Sequence, residues 1–281
     1  MTHLRQTLFE SLGVRIEDFR CRAHVEREGT EEPNRSHSIV FVRRGVFGRR
    51  HRGEALVADP NQILFFHAGE GYRYSHPVDG GDDCTILCLD DGTALDAALR
   101  VRPEAEERPD RPFVTGHVLG GRRSARLHYE LLATLRESRP ALATEDALSE
   151  LIDEALRTAG GARTRAAREN GRGARRRREV VEEAKVLINA NVERPPRLGV
   201  MAAALGCSPF HLSRIFRQTT GVSLRGYLGR LRARLAAERL VRGAPDLTEL
   251  ALDLGFADHA HFTNAFRREW GVPPSRLRPR S

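Results

Sequence analysis

The sequence is poor in lysine: Lys185 is the only one, and the other 45 basic residues are arginines. Cysteine is scarce too. Cys21, Cys84, Cys88 and Cys207 are too few for a disulfide framework, and a reducing compartment would keep them as thiols. Aromatic residues make up only 6%. No apolar run reaches the roughly 18 residues of a membrane helix. The opening residues lack a signal peptide's apolar core, so a cytoplasmic location is expected. A disulfide-stapled secreted scaffold and a membrane-spanning chain are thereby excluded.

What is present is a globular composition, 40% hydrophobic and 30% charged over 281 residues, enough for one or two domains. The formal charge of +8 is unevenly spread. Residues 1–160 carry 22 Lys+Arg against 27 Asp+Glu, whereas residues 161–281 carry 24 against 11. A basic C-terminal part on a mildly acidic N-terminal part suggests a polyanion partner for the former. An arginine excess this lopsided also follows from genome base composition, so charge alone makes nucleic acid a candidate only.

The N-terminal part reads as β. Short β-rich runs at 37–43, 61–66, 71–75 and 84–89 are separated by turn signals at Asp59, Pro60 and Asn61 and at 79–82. Strands at this spacing suggest a small barrel or sandwich. Near residue 119 the pattern becomes helical, with Leu127, Leu131, Leu132 and Leu135 on one face. A second helix is expected near 144–158, with Thr144 as N-cap and a stripe of Leu148, Leu151, Ile152 and Leu156. That stripe suits a dimer surface or packing on the barrel equally. The Gly- and Arg-rich stretch that follows lacks apolar periodicity and reads as a mobile linker with solvated charges.

The last ~85 residues hold an internal repeat. Ala202 and Ala251, and Gly206 and Gly255, are 49 residues apart; His211 and His261, Phe216 and Phe266, and Gly221 and Gly271 are 50 apart. In each copy a short helix ends at a glycine, and an N-cap (Ser208 before Pro209, or Asp258) starts a second helix. Two short helices so joined make a helix-turn-helix, whose second helix enters the DNA major groove.

A helical wheel sorts the second helices. Leu212, Ile215, Phe216 and Thr219 cluster opposite Phe210, Arg214 and Arg217, with Ser213 beside the latter group. In the second copy Phe262, Ala265 and Phe266 face inward; Ala260, Asn264 and Arg267 face out, flanked by His261 and Thr263. Arginine reads guanine, asparagine reads adenine, and aromatic or methyl groups contact thymine. Phe210, Ser213, Arg214, Arg217, His259, His261, Thr263, Asn264 and Arg267 are therefore the candidate DNA-binding residues, Arg217 and Arg267 toward phosphate. For Phe210, packing against another protein helix is the competing reading. Residues 223–242 read as one connecting helix of about 30 Å, close to the roughly 34 Å of a DNA turn. Two recognition helices so spaced can enter successive major grooves.

These residues resemble the AraC/XylS-type transcription regulators over about the last 100 residues. The matching positions are Leu205, Gly206, Ser208, His211, Leu212, Arg214, Phe216, Tyr227, Arg232, Ala236, Leu240, Gly255, Phe256, Phe262, Phe266, Gly271 and Pro274. One departure is Asn264, where members of the family often carry a basic residue. The resemblance implies two helix-turn-helix motifs bridged by a long helix on promoter DNA, beneath an N-terminal sensing or dimerisation domain that is often cupin-like.

The expected fold is α+β in two domains, a cupin-like β-barrel with trailing helices and an all-α double helix-turn-helix. The expected divisions are a sensing domain at 1–115, a helical dimerisation or packing segment at 116–158, a flexible linker at 159–176 and a DNA-binding domain at 177–281. No cofactor, metal or catalytic residue is expected. His37, His51, His67 and His76 do not form a His-x-His motif, although His67 and Glu70 lie three apart. Cys84 and Cys88 would stand about 13 Å apart on a strand, too far for a disulfide. A thiol or zinc site joining them with Cys21 and His24 is conceivable; small buried hydrophobes are the other reading of the cysteines. Expected partners are double-stranded promoter DNA and a small effector, with RNA polymerase and a second copy of the chain as further candidates and no membrane. Two alternatives stand beside this reading: a cupin-like enzyme fused to a DNA-binding module, and an effector-independent DNA-binding dimer.

Overall fold

Alternation along the strands decides how the N-terminal part is layered. In the computed structural model, which describes residues 2–11, 13–24, 28–137, 139–166, 172–243 and 246–277, the strands form two antiparallel sheets. Numbered in chain order, β1 (Thr2–Ser11), β2 (Val14–Arg22), β9 (Asp82–Leu89), β4 (His37–Gly45), β7 (Gln62–Phe66) and β10 (His117–Leu119) make the larger sheet in that spatial order. The smaller one runs β3 (Glu32–Pro33), β8 (Gly71–Ser75), β5 (Phe47–His51) and β6 (Glu54–Ala58). Successive side chains of a strand point to opposite faces. Ile39 and Phe41, Ile63 and Phe65, and Leu87 and Leu89 accordingly enter one core. Val40 and Val42, Leu64 and Phe66, and Cys84 enter another, together with Phe47, Leu56 and Tyr72 of the smaller sheet. The larger sheet is thus a middle layer buried on both faces. The chain leaves it at Gly45 and enters the smaller sheet at Phe47; among the described residues no paired strand closes the two into a ring, so the expected barrel is an open pair of sheets.

Helices cover the other face of the larger sheet. They are α1 (Asp91–Val101), capped by the Asp90 carboxylate accepting from the Thr93 amide, α2 (Arg122–Arg136) and α3 (Ala141–Ala166). Leu148, Leu151, Ile152 and Leu156 of α3 all lie in the core against this sheet. Of the two uses open to that stripe, packing on the sheet is the one realised. The stretch 159–176, expected as an irregular linker, is helical through Ala166 and again from Arg172, because its Ala and Arg residues are good helix formers. Residues 167–171 lie outside the described residues.

The C-terminal part is helical: α4 (Arg172–Ala190), α5 (Leu198–Ala204), α6 (Pro209–Thr220), α7 (Leu224–Val241), α8 (Leu247–Asp253) and α9 (His259–Trp270). The helix α7 belongs to two cores. Tyr227 and Leu231 pack with α4, α5 and α6, whereas Ala233, Ala236, Ala237 and Leu240 pack with α8 and α9. The second of these cores also takes in Ala125 and Tyr129 of α2, so it crosses from the helical part into the sheet-bearing part. Among the described residues no helix is long and apolar enough to cross a membrane.

Candidate nucleic-acid interface

Each motif is set by its turn and its cap. Gly206 and Gly255 end α5 and α8 at φ +65° and +74°, a region that side-chain-bearing residues rarely adopt. At Gly255 a Cβ would also lie 2.0 Å from the Glu193 carbonyl oxygen, whereas at Gly206 the space is open. The Ser208 hydroxyl then accepts from the His211 amide at 3.2 Å, and the Asp258 carboxylate from the His261 amide at 2.7 Å. Both caps satisfy amides that would otherwise be orphaned at the start of α6 and α9. Leu212, Ile215 and Phe216, and in the second motif Phe262 and Phe266, are fully buried beneath.

The opposite faces stay open. Phe210, Ser213, Arg214 and Arg217 of α6 are exposed, as are His259, His261, Asn264 and Arg267 of α9. Phe210 is 79% exposed, and leaving such a ring in water forgoes about 1.5–3 kcal/mol relative to burying it. The Arg214 guanidinium rests 3.4 Å from His211 Nδ1. Arg217 and Arg267 make no ion pair among the described residues. Two wheel positions differ from expectation. Thr219 is exposed at the end of α6, where the helix runs beyond its supporting core. Thr263 is half-buried, its Oγ1 enclosed without a hydrogen-bond partner, because α9 lies deeper on α7 than α6 does. Arg268 is exposed on α9 and Gln218 on α6, positions the wheel did not select.

Sequence reasoning missed the polar seam that holds α7. The Arg232 guanidinium donates to the carbonyls of Val192, Glu193 and Gly255, tying the α4–α5 connection to the turn of the second motif. Arg234, 6% exposed, donates to the Pro60 carbonyl, to Gly120, and to the Glu269 carboxylate. Tyr227, wholly buried, donates to Asp59 Oδ2 at 2.7 Å and accepts from the Gln62 amide at 3.2 Å. Arg242 reaches Asp83 Oδ2 at 2.7 Å. Burial would raise the pKa of Asp83, but hydrogen bonds from Arg22 and Arg242 outweigh it and hold this carboxyl below its usual range. Tyr129 completes the seam, donating to Glu238 at 3.3 Å and meeting Trp270 edge to face at 4.9 Å between ring centres. None of these contacts covers the exposed faces of α6 and α9. The partners stand from 23 to 174 positions apart in sequence, and a buried arginine looks like a surface one in a helical pattern; beyond the family resemblance at Tyr227 and Arg232, no sequence signal marks them.

Beside the seam, a cleft of about 950 Å³ opens between the two parts. Arg44, Val78 and Gly81 line one wall, and Arg194, Arg239 and Arg242 the other. Within the sheets, His67 meets Glu70 at 3.3 Å, as their spacing allowed, and the other ring nitrogen contacts the Phe113 carbonyl at 3.2 Å. Tyr72 donates to the same carboxylate, and Arg52 and Arg111 pair with it. Burial lowers the pKa of the His67 imidazole, against the raising effect of Glu70. Cys21, Cys84 and Cys88 are buried. The His24 ring is 98% exposed beside Asp79, so it does not join Cys21 in its buried surroundings.

Comparison with known proteins matches both parts. An AraC-binding-like domain model covers residues 3–159, more than half of the chain, and a helix-turn-helix domain model covers residues 201–280. The chain is 38% identical over 90 residues to the HTH-type transcriptional regulator GlxA of Rhizobium meliloti, a match spanning 32% of this chain and 28% of that protein. It is 33% identical over 93 residues to the regulatory protein SoxS of Salmonella typhimurium, spanning 33% of this chain and 87% of SoxS. Among solved structures, ToxT from Vibrio cholerae aligns over 94% of this chain and 97% of its own, at 12% identity and a TM-score of 0.37.

Proposed function

Because the chain belongs to the AraC/XylS family of transcription regulators, we propose that it binds promoter DNA with α6 and α9 in successive major grooves, under control of a small effector. The observation that carries this reading is the pair of open helix faces. Two capped helices on one shared scaffold each present Arg beside Asn, Ser, His or Phe to solvent, while their other faces are fully buried. Arg214 and Asn264 are the base readers, with Phe210 against thymine methyls; Arg217 and Arg267 take phosphate. At 18 residues, α7 spans about 27 Å, somewhat less than one DNA turn, which suits motifs leaning outward from its ends.

The effector reading rests on the cleft and the seam. A ligand in the cleft would touch the sheet-bearing part and α7 together, so its differential affinity for docked and loosened arrangements would shift their populations. Because the seam leaves the exposed faces of α6 and α9 uncovered, such a ligand would act by aligning the two motifs rather than by uncovering them. RNA polymerase and a second copy of the chain are the further partners of a promoter-bound regulator, and the cytoplasm is where it would meet them.

Selection of random DNA by the full-length protein tests the reading. The recovered sites should contain two short conserved blocks about one helical turn apart, and affinity should fall steeply with salt as counterions are released. A single block, or an affinity indifferent to salt, would remove the two-groove arrangement.

A further inference from the structure

Two neighbouring carboxylates at the start of β9 are buried, and they are treated differently. Asp83 is wholly buried and is held by two guanidinium groups, Arg22 and Arg242. Asp82 is 2% exposed and has no guanidinium partner among the described residues. Its Oδ1 lies 3.1 Å from His76 Nε2, and its Oδ2 accepts from the Cys84 thiol at 3.1 Å. A carboxylate removed from water normally keeps a cation.

Cys21 approaches the same point from β2. The ligand atoms of Cys21, His76 and Asp82 all lie within 4.8 Å of one another, and all three residues are buried. The His76 imidazole is 95% buried, and its Nδ1 finds no hydrogen-bond partner. We propose that Cys21, His76 and Asp82 form a binding site for one divalent cation of the zinc type.

The donor set selects the ion. A thiolate, an imidazole and a carboxylate together suit a borderline-soft metal such as zinc, whereas magnesium and calcium prefer oxygen alone. Ligand atoms about 2.0–2.3 Å from an ion stand roughly 3.5 Å apart, so separations within 4.8 Å would contract by at most about 1.3 Å on binding. The Cys21 thiol gives up its proton to solvent as the metal–sulfur bond forms. The thiolate and the carboxylate then balance a doubly charged ion. Cys84 has another part. Its thiol donates to Oδ2 at 3.1 Å and so orients the carboxylate. Three protein ligands leave a fourth position for water or an added ligand. The ion would fasten β2 to the β8–β9 turn one residue before Asp83, which grips Arg242 of the C-terminal part.

The test is a cobalt and zinc titration of the chelator-stripped full-length protein. One cobalt ion should bind per chain and produce a thiolate-to-cobalt charge-transfer band, which one equivalent of zinc should abolish. Cys21→Ser should remove the band, and His76→Asn should weaken cobalt binding by about tenfold or more. Cys88→Ser, a buried thiol outside the cluster, should retain both. Absence of the band in the parent protein overturns the site whether or not any variant folds. A band that survives Cys21→Ser overturns it as well.

Discussion

The two helix-turn-helix motifs share one grammar and are anchored differently. The first closes its core within the helical part, on Val180, Val181, Ala184 and Ile188 of α4 and Tyr227 and Leu231 of α7. The second completes its core with Ala125 and Tyr129 of α2 and sends Glu269 to Arg234, which also holds Pro60 and Gly120. The first motif meets the sheet-bearing part through polar contacts, Glu182 and Asn189 of α4 and Tyr227 of α7 on Val57 and Asp59, whereas the second shares an apolar core with α2. Two copies of one sequence pattern are thus anchored in different ways.

The largest effect should come from cutting that grip. Arg234→Ala leaves the buried Glu269 with only Arg230, at 3.8 Å, and strips donors from the carbonyls of Pro60, Gly120 and Gly121, and should lower stability by about 3–5 kcal/mol in denaturant melting. A loss below about 1 kcal/mol would mean the second motif stands alone. Next, the two turn glycines should part company: Gly255→Ala combines positive φ with a clash on Glu193 and should cost about 3 kcal/mol, whereas Gly206→Ala, in open space, should cost about 1 kcal/mol. Equal losses would show the two turns to be equally confined.

In DNA binding, Arg214→Ala should cost about 1–3 kcal/mol and relax base preference at one position. Asn264→Ala should cost less, since the second motif offers no arginine at that place. The reverse ranking, measured by titration on selected sites, would move base reading to the second motif.

The smallest effect concerns pH. Burial, reinforced by Arg43 and Arg234, lowers the pKa of His128 to about 3, beside Tyr129 on α2. The unfolded imidazole titrates near 6.5 and the folded one does not until about 3, so stability falls as pH drops through that window. The expected loss is about 0.7 kcal/mol between pH 7 and 6, with a steeper decline below. His128→Gln should flatten that slope, and an unchanged slope would place the titration elsewhere.

The legibility of these features in the sequence follows from how locally each is encoded. Strands at 37–45 and 82–89 announce themselves because both faces are apolar and turn residues bracket them. The repeat, its caps and the connecting helix are local signals, each settled within a few residues of Gly206, Ser208, Gly255 or Asp258. The first hairpin, β1 with β2, gives little signal because its register pairs many polar residues, such as Gln6 with Asp18 and Thr7 with Glu17. The α1 helix was missed although Asp90 and Thr93 form a plain cap. The seam and the Cys21, His76 and Asp82 cluster have no local signature at all. Their members meet only after β2, β8 and β9 pair across intervening chain, and nothing in a helix pattern distinguishes Arg234 inside from Arg239 outside.

The scarcity of lysine has one more consequence. The single ammonium group, on Lys185, is 2% exposed and clasped by Glu182 at 2.8 Å, which in turn accepts from the Val57 amide. Acylating reagents and acetyl-transferring enzymes aimed at side-chain amines therefore have no accessible target on the surface offered to DNA. Its positive charge resides on guanidinium groups, which hold their protons at any physiological pH. Ordinary amine chemistry therefore leaves the guanidinium charge of α6 and α9 intact.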